Sequence, residues 1–402
     1  MISQRAQELT GSPSAIVVGH LNCLADPYSL ENPDGFLNFG IAENHLMSDM
    51  LLDFLNRPIK IEKEHIQYCD SRGISSLKTE SVKFFHDYLG IKDLDPEKLI
   101  INNGVSSLCE SLSFSLFDEG DQILIPAPYY TGFEHDFTKR FKCEFIPVQL
   151  DPKNNFDHEI APFKEALKAY RKVKAVLITH PHNPTAESIS EEFQNDVIKF
   201  CLENDLHLIS DEIYALSRHN GEKHDSLFQK ARDRGVKTHF LYGVAKDFCL
   251  AGYKVGFFYT DNDELTQAMG ASSYFYPVGS ATQLYIENIF KDRKFLDEYL
   301  KINQSRLKHC REKIIKALPM FKFISSENAM FMVLDLSSYC KSLEDAKTLF
   351  EDIMNKYKIN MTPGLLQGLN KPGYFRVCYA REESHIDAFI ERMQKAAKEI
   401  LK

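Results

Sequence analysis

The chain has 402 residues, 44% of them apolar and 26% charged, with a formal net charge of −9. Those values suit a globular protein of two or three domains with a sizeable core, and they argue against the basic stripe that nucleic-acid binding needs to displace counterions. Nine cysteines lie scattered from Cys23 to Cys378, an odd number with no CxxC pair, so neither a disulfide framework nor a metal site is signalled.

In chain order, the opening MISQRAQELTG holds no apolar stretch of signal-peptide length, and no run further on approaches a membrane span. A cytoplasmic protein is expected. From about residue 45 to 290, β-branched or apolar runs alternate with helical patterns. KLIINNG, DQILIPAP, CEFIPVQL, KAVLITH, LHLISDE and THFLYGVAK read as strands, while SSLCESLSFSLF, HEIAPFKEALKAYR and EEFQNDVIKFCLEN read as helices. The alternation predicts an α/β fold with a mainly parallel sheet sandwiched by helices. From about 291 the pattern changes to long charged helices, then strand-like FKFISS, AMFMVLDL and GYFRVCYA, then a closing helix with Ile386, Phe389, Ile390, Met393, Ala397, Ile400 and Leu401 on one face. Residues 45–290 are thus expected to form a large domain, and 1–44 with 291–402 a smaller α+β domain.

In open parallel sheets ligands gather beyond the carboxyl ends of strands. KAVLITHPHNPT delivers Asn183 there, LHLISDEIY delivers Asp211 and Tyr214, and THFLYGVAK delivers Lys246. Lys246 is either a solvated strand-end lysine or an amine desolvated into a nucleophile. NNGVSSLCE places Gly104, Val105, Ser106 and Ser107 at a helix start, which serves either an ordinary serine cap or a phosphate. An amide, a carboxylate, a phenol, an amine and a phosphate cradle together match one cofactor, pyridoxal phosphate.

Through ENPDGFLNFGIAEN, PAPYYTGF, HPHNPT, SDEIY, AKDFCLAGYKVG and YFRVCYA the chain resembles the fold-type I pyridoxal-phosphate enzymes of the class I/II aminotransferase group, in particular the 1-aminocyclopropane-1-carboxylate synthase-like branch. The resemblance implies that Lys246 forms the internal aldimine and later shuttles the Cα proton. It also implies that Asp211 pairs with the pyridine N–H⁺, that Tyr214 and Asn183 hydrogen-bond the 3′ oxygen, and that Tyr130 lies against the ring. Val105, Ser106 and Lys254 would hold the phosphate. Arg376 would grip the substrate α-carboxylate beside Asn183. Glu43 matches a position at the substrate end of the pocket, although beside Asn44 it could equally be a helix cap. Tyr129 and Tyr130 could be packing aromatics, His180 and His182 local hydrogen-bonding residues, and ASSYFYPVG, residues 271–279, either a pocket lining or packing.

The chain departs from the family at four places. Gly243 stands for a serine, Lys254 for the phosphate-binding arginine, Ser71 for a tyrosine that reaches across the dimer, and Ala186 for a glycine. The expected activity is transfer of an amino group from an α-amino acid to a 2-oxo acid by a homodimer. Elimination of a β or γ leaving group is the alternative, and a non-catalytic scaffold of the same fold is a third.

Overall fold

Runs of Val, Ile, Leu and Phe buried on both faces can pair only inside a sheet that helices cover. The computed structural model, which describes residues 2–10 and 15–400, places thirteen strands in three sheets, with the fully buried runs at the centre of the largest. In chain order they are β1 (Leu37–Asn38), β2 (Ile100–Asn103), β3 (Gln122–Ala127), β4 (Glu144–Gln149), β5 (Val173–Thr179), β6 (His207–Asp211), β7 (Thr238–Gly243), β8 (Val255–Thr260), β9 (Lys322–Ile324), β10 (Phe331–Asp335), β11 (Ile359–Asn360), β12 (Thr362–Pro363) and β13 (Tyr374–Cys378).

Seven form the main sheet in the order β2-β8-β7-β6-β5-β3-β4. The expected α/β class with a mainly parallel sheet holds, and one strand is inverted. β8 runs antiparallel to both neighbours, whereas the pairs β7/β6, β6/β5, β5/β3 and β3/β4 are parallel. β8 is fully buried and was not among the expected strands, because VGFFYT follows β7 after so short a link that no crossover helix announces it. The inversion matters for the site. It brings the start of β8, where Lys254 lies, to the same sheet edge as the ends of β2, β5, β6 and β7.

A second sheet, β12-β13-β10-β9, is antiparallel and packs with the helices Leu343–Tyr357 and Glu383–Ile400. The first of these helices was not expected, although its capping box Ser342–Asp345 marks its start. β1 pairs in parallel with β11, which ties the N-terminal segment to the same region. The 25-residue helix Arg293–Ala317 joins the two cores. Phe295, Leu296, Tyr299 and Leu300 enter the core against the main sheet, and Leu307, Cys310 and Ile314 the core around the smaller one. On the closing helix Ile386, Phe389, Met393 and Ala397 are buried and Ile390 is partly so. Leu401 lies outside the described residues, as does the side chain of Ile400.

Candidate active site

The strand ends on this edge enclose a cavity of about 170 Å³ lined in part by Gly104, Ser106, Tyr130, Asn183, Asp211 and Lys246. Val105, Tyr214 and Lys254 also reach it. Its geometry starts with two glycines. Gly243 at the end of β7 sits opposite Gly256 of β8. A Cβ on Gly256 would stand 2.6 Å from the Gly104 carbonyl carbon and 2.7 Å from the Val105 nitrogen, so only glycine lets the helix Val105–Leu116 start directly against the sheet. A Cβ on Gly243 would stand 2.8 Å from Val105 Cγ2. The place of the family's serine is therefore filled by a valine methyl, which explains that departure by packing.

The serine-cap alternative fails. The N-cap of this helix is Gly104, at φ 83°, and no side chain caps the first turn. Ser107 turns back to the Gly104 carbonyl at 2.9 Å, and Ser106 Oγ donates to Asp136 Oδ2 at 3.1 Å. The first-turn N–H groups keep their donors and the positive end of the helix dipole for a ligand. Lys254, in the left-handed region at φ 53°, lines the same end of the cavity.

At the other end the groups are buried and mutually fastened. Burial, and then the Arg376 guanidinium, lower the Lys246 amine to about 8, and Nζ donates to the Ala42 carbonyl at 2.6 Å. The solvated-lysine alternative does not fit these surroundings. Its neighbour Asp247 is fixed from three sides by Ser217 Oγ (2.6 Å), the Leu216 N–H (3.0 Å) and Tyr242 Oη (3.0 Å). Strand alternation sends Asp211 into the cavity and leaves Glu212 in the wall, where His224, Ser210, Ser226 and the Phe228 N–H share its carboxylate. Burial pushes the Asp211 carboxyl up to about 7, against one backbone hydrogen bond from Ile213 at 3.3 Å. A cation facing it would pull that value back down.

Asn183 links the two functional halves. Its Nδ2 donates to Tyr214 Oη at 3.4 Å and its Oδ1 accepts from Arg376 Nη1 at 3.1 Å. Arg376 also donates from Nη2 to the Gly40 carbonyl (2.5 Å) and to Thr362 Oγ1 (3.1 Å), while its buried Nε has no partner. Tyr130 exposes 37% of its surface and stands edge-on to Phe133. Tyr129 instead packs beside Phe145 and donates to Glu134 at 2.6 Å. His180 and His182 have local partners, Asp225 and Ile189 for the first and Thr185 for the second.

Glu43 is not a helix cap: the next helix begins at Ser48 with Met47 as its N-cap. Its carboxylate pairs with His45 at 3.0 Å, which with other nearby cations holds it down to about 2. Ser71 lies in a surface hollow with Arg72, Thr266, Gln267 and Gly270, apart from this cavity. Ala186 occupies the left-handed region at φ 62°, where a glycine carries no strain. The segment 271–279 does not line the cavity. Tyr274 and Phe275 are 76% and 74% exposed, and Tyr276 donates to Glu110.

Two contributors were not anticipated. Arg381 donates to the carbonyls of Asn38 (2.7 Å), Ile41 (2.9 Å) and Glu43 (2.6 Å), which holds the loop that supplies Gly40 and Ala42. Asp136 lines the cavity beside the start of the helix Val105–Leu116. An arginine immediately after the YFRVCYA segment was the available signal for Arg381. Asp136, in EHDF, carried none. Among the described residues no group of three or more His, Cys, Asp or Glu side chains is placed to hold a metal.

The donor set fits pyridoxal phosphate: uncapped helix N–H groups and a lysine at one end, a buried carboxyl, phenol and amide in the middle, and a buried amine beside a guanidinium. Residues 37–393 match the family model described as aminotransferase class I and II. The chain is 29% identical, over 98% of its length and 78% of the relative's, to 1-aminocyclopropane-1-carboxylate synthase 6 of Oryza sativa subsp. japonica. It is 30% identical to 1-aminocyclopropane-1-carboxylate synthase 8 of Arabidopsis thaliana, over 98% and 90% of the two chains. The structure of an aspartate aminotransferase from Thermus thermophilus with maleate superposes with a TM-score of 0.82 at 20% identity, covering 98% of this chain and 99% of that one. This last similarity shows the fold.

Proposed function

Because the chain belongs to the class I and II aminotransferase family, we propose that it is an aminotransferase moving the amino group of an α-amino acid to a 2-oxo acid, as a cytoplasmic homodimer. Pyridoxal 5′-phosphate is its cofactor. The observation that carries the reading is the convergence of Lys246, Asp211, Asn183 and Tyr214 on one cavity, with Arg376 fastened behind Asn183.

When bound, pyridoxal phosphate supplies an aldehyde that captures the amino group and a conjugated ring that takes up the electrons released at Cα. The chain's own residues do the rest. Lys246 Nζ, with its affinity for protons lowered by burial, takes the proton from the substrate's Cα and holds it for return. Asp211 holds a proton at the ring nitrogen, and Tyr214 and Asn183 donate toward the ring's oxygen. Arg376 offers its unpartnered Nε with the guanidinium edge to the α-carboxylate, which orients the Cα–H bond. Asn183 touches both Arg376 and Tyr214, so carboxylate binding and ring position are set together.

Elimination is the second reading, favoured by the similarity to 1-aminocyclopropane-1-carboxylate synthases over 98% of the chain. Ser71 in the tyrosine's place speaks for transamination. A panel of amino acids, each scored for 2-oxo acid, for ammonia and for the expelled β or γ leaving group, separates the two. Transamination conserves the amino group when a 2-oxo acid acceptor is present, and acceptor-independent ammonia release would overturn the first reading. The exposed Tyr68, Tyr274 and Phe275 supply apolar surface for a second copy. Sedimentation of an active monomer at assay concentration would reject the dimer.

A further inference from the structure

Asp136 has no part in the chemistry at the ring end, yet it lines the cavity where a phosphate would sit. It projects from the single turn Glu134–Thr138 beside Gly104, Val105, Ser106 and Lys254, and takes the Ser106 hydroxyl hydrogen at 3.1 Å. An incoming phosphate dianion is attracted by the free N–H groups of the helix start and by the Lys254 ammonium, and repelled by an ionised Asp136. A carboxylate also cannot donate, and it keeps the Ser106 hydrogen turned away from the ligand. A neutral carboxylic acid reverses both effects, because its O–H is a donor and Ser106 is released.

Burial first, and then Glu110, favour the neutral form of Asp136 over the groups that oppose it. The groups facing it are Ser106, Cys109 and Glu110 from the helix, Tyr130 from the loop after β3, Asp211 from β6, and Lys254 from the start of β8. Glu110 is itself engaged by Arg140 and the Tyr276 hydroxyl. Lys254 is the single cation of the set, and it is exposed. Burial pushes the Asp136 carboxyl up to about 7, with Ser106 and Lys254 opposing.

Resting on the reading of this cavity as a pyridoxal-phosphate site, we propose that Asp136 holds the cofactor's phosphate as a carboxylic acid, donating its O–H to a phosphate oxygen, so that loading takes up a proton from solvent wherever free Asp136 is ionised. Lysine in the arginine's place leaves the cup short of directed donors, and the Asp136 proton supplies one. Affinity for the phosphate end then falls as pH rises above the point where free Asp136 ionises.

The test dialyses the full chain to equilibrium against pyridoxamine 5′-phosphate and, in parallel, pyridoxamine, between pH 7.0 and 8.5. Neither probe carries an aldehyde, so neither bonds to Lys246. Titration of Asp211 and Lys246 affects both probes and cancels in the ratio of their dissociation constants. The phosphate is already mostly dianionic over this range. The advantage of the phosphorylated probe should shrink by about tenfold over the range in the native protein. In Asp136→Asn it should stay level and exceed the native value at pH 8.5. Ser106→Ala removes a donor to the ionised form, so it should shift the native transition upward in pH, and this arm stands if the first variant does not fold. A level ratio in the native protein, or an unchanged slope in Asp136→Asn, overturns the proposal. Failure of both probes to bind the native protein overturns the cofactor reading itself, and the proposal with it.

Discussion

The two ends of the cavity are built on different principles. At the ring end, side chains are largely withdrawn from solvent and fastened to the surrounding chain: Arg376 by Gly40, Thr362 and Asn183, Asn183 by Tyr214, and Lys246 by the Ala42 carbonyl. At the phosphate end the work falls to backbone donors, a pair of facing glycines, and an exposed lysine in the left-handed region. The difference teaches where substitution is tolerated. Proton transfer at Cα needs a group held within hydrogen-bond reach in one orientation, whereas a phosphate presents several equivalent oxygens and can be met from many directions. The family departures at Gly243 and Lys254 fall at the tolerant end.

The largest effect should come from breaking the ring end at its reactive atom. Lys246→Ala removes the covalent anchor and the Cα base together while freeing only the Ala42 carbonyl, so turnover should fall by about ten-thousandfold or more. Circular dichroism should show the fold unchanged, and more than trace transamination would remove Lys246 from the mechanism. Next comes Arg376→Lys. An ammonium cannot replace the planar fork, and the loss of one charge-assisted hydrogen bond at about 1.5–3 kcal/mol lowers kcat/KM by roughly ten- to a hundredfold. Most of it should appear in KM for substrates bearing an α-carboxylate, and an unchanged KM would place that carboxylate elsewhere.

The ring end also has a pH signature. Capture of an aldehyde needs the neutral amine, and Lys246 is lowered from the ordinary lysine value to about 8. The fraction able to react rises with pH through 8 and then levels, so the stopped-flow rate of attachment at saturating pyridoxal phosphate, where the pH dependence of phosphate binding drops out, should accelerate up to about pH 8.5–9 and plateau. Continued acceleration to pH 10 would mean that burial does not perturb this lysine.

Much of this end was legible in the sequence because its residues terminate apolar runs. Asn183, Asp211 and Lys246 each follow a β-branched or apolar strand, and strand ends converge whenever parallel strands sit side by side. Arg376 was legible as a charge inside a strand. The phosphate end was less so. Its shape depends on β8 running backwards, on Val105 occupying the space above Gly243, and on Asp136 arriving from a turn with no periodicity. These are contacts between residues distant in the chain, and no local pattern encodes them. The role of Arg381, which fastens the loop from Asn38 to Glu43, depends on the same kind of contact.

The glycine pair gives a test of smaller size. Gly243 is at φ −167°, extended backbone that any residue adopts, so only space opposes a side chain there. Gly243→Ser should destabilise by about 1–3 kcal/mol through overpacking against Val105 Cγ2 and the Val255 carbonyl, 2.8 and 3.2 Å from the new Cβ. Adding Val105→Ala removes the nearer contact and should recover most of the loss in thermal melts. Equal stability of the single and double variants would show that Val105 is not what excludes the serine.

The smallest effect is expected at Lys254, where the two ends differ most. Arginine keeps the charge and, being no more β-branched than lysine, adds no new strain at φ 53°. It exchanges a freely turning ammonium for a planar fork that can meet two phosphate oxygens. An ideal gain would be about 1.5–3 kcal/mol, but Lys254 is exposed, and water already competes for the same oxygens. The realised gain should therefore be a few-fold. It is best read in the pyridoxamine form, where no covalent bond to Lys246 masks the hold of the phosphate end. Dialysis of both proteins without added cofactor should leave Lys254→Arg with the longer half-life of bound pyridoxamine phosphate. A half-life equal to or shorter than the parent's would mean that backbone donors and Asp136 already saturate the phosphate, and that Lys254 contributes charge to this end without contributing direction.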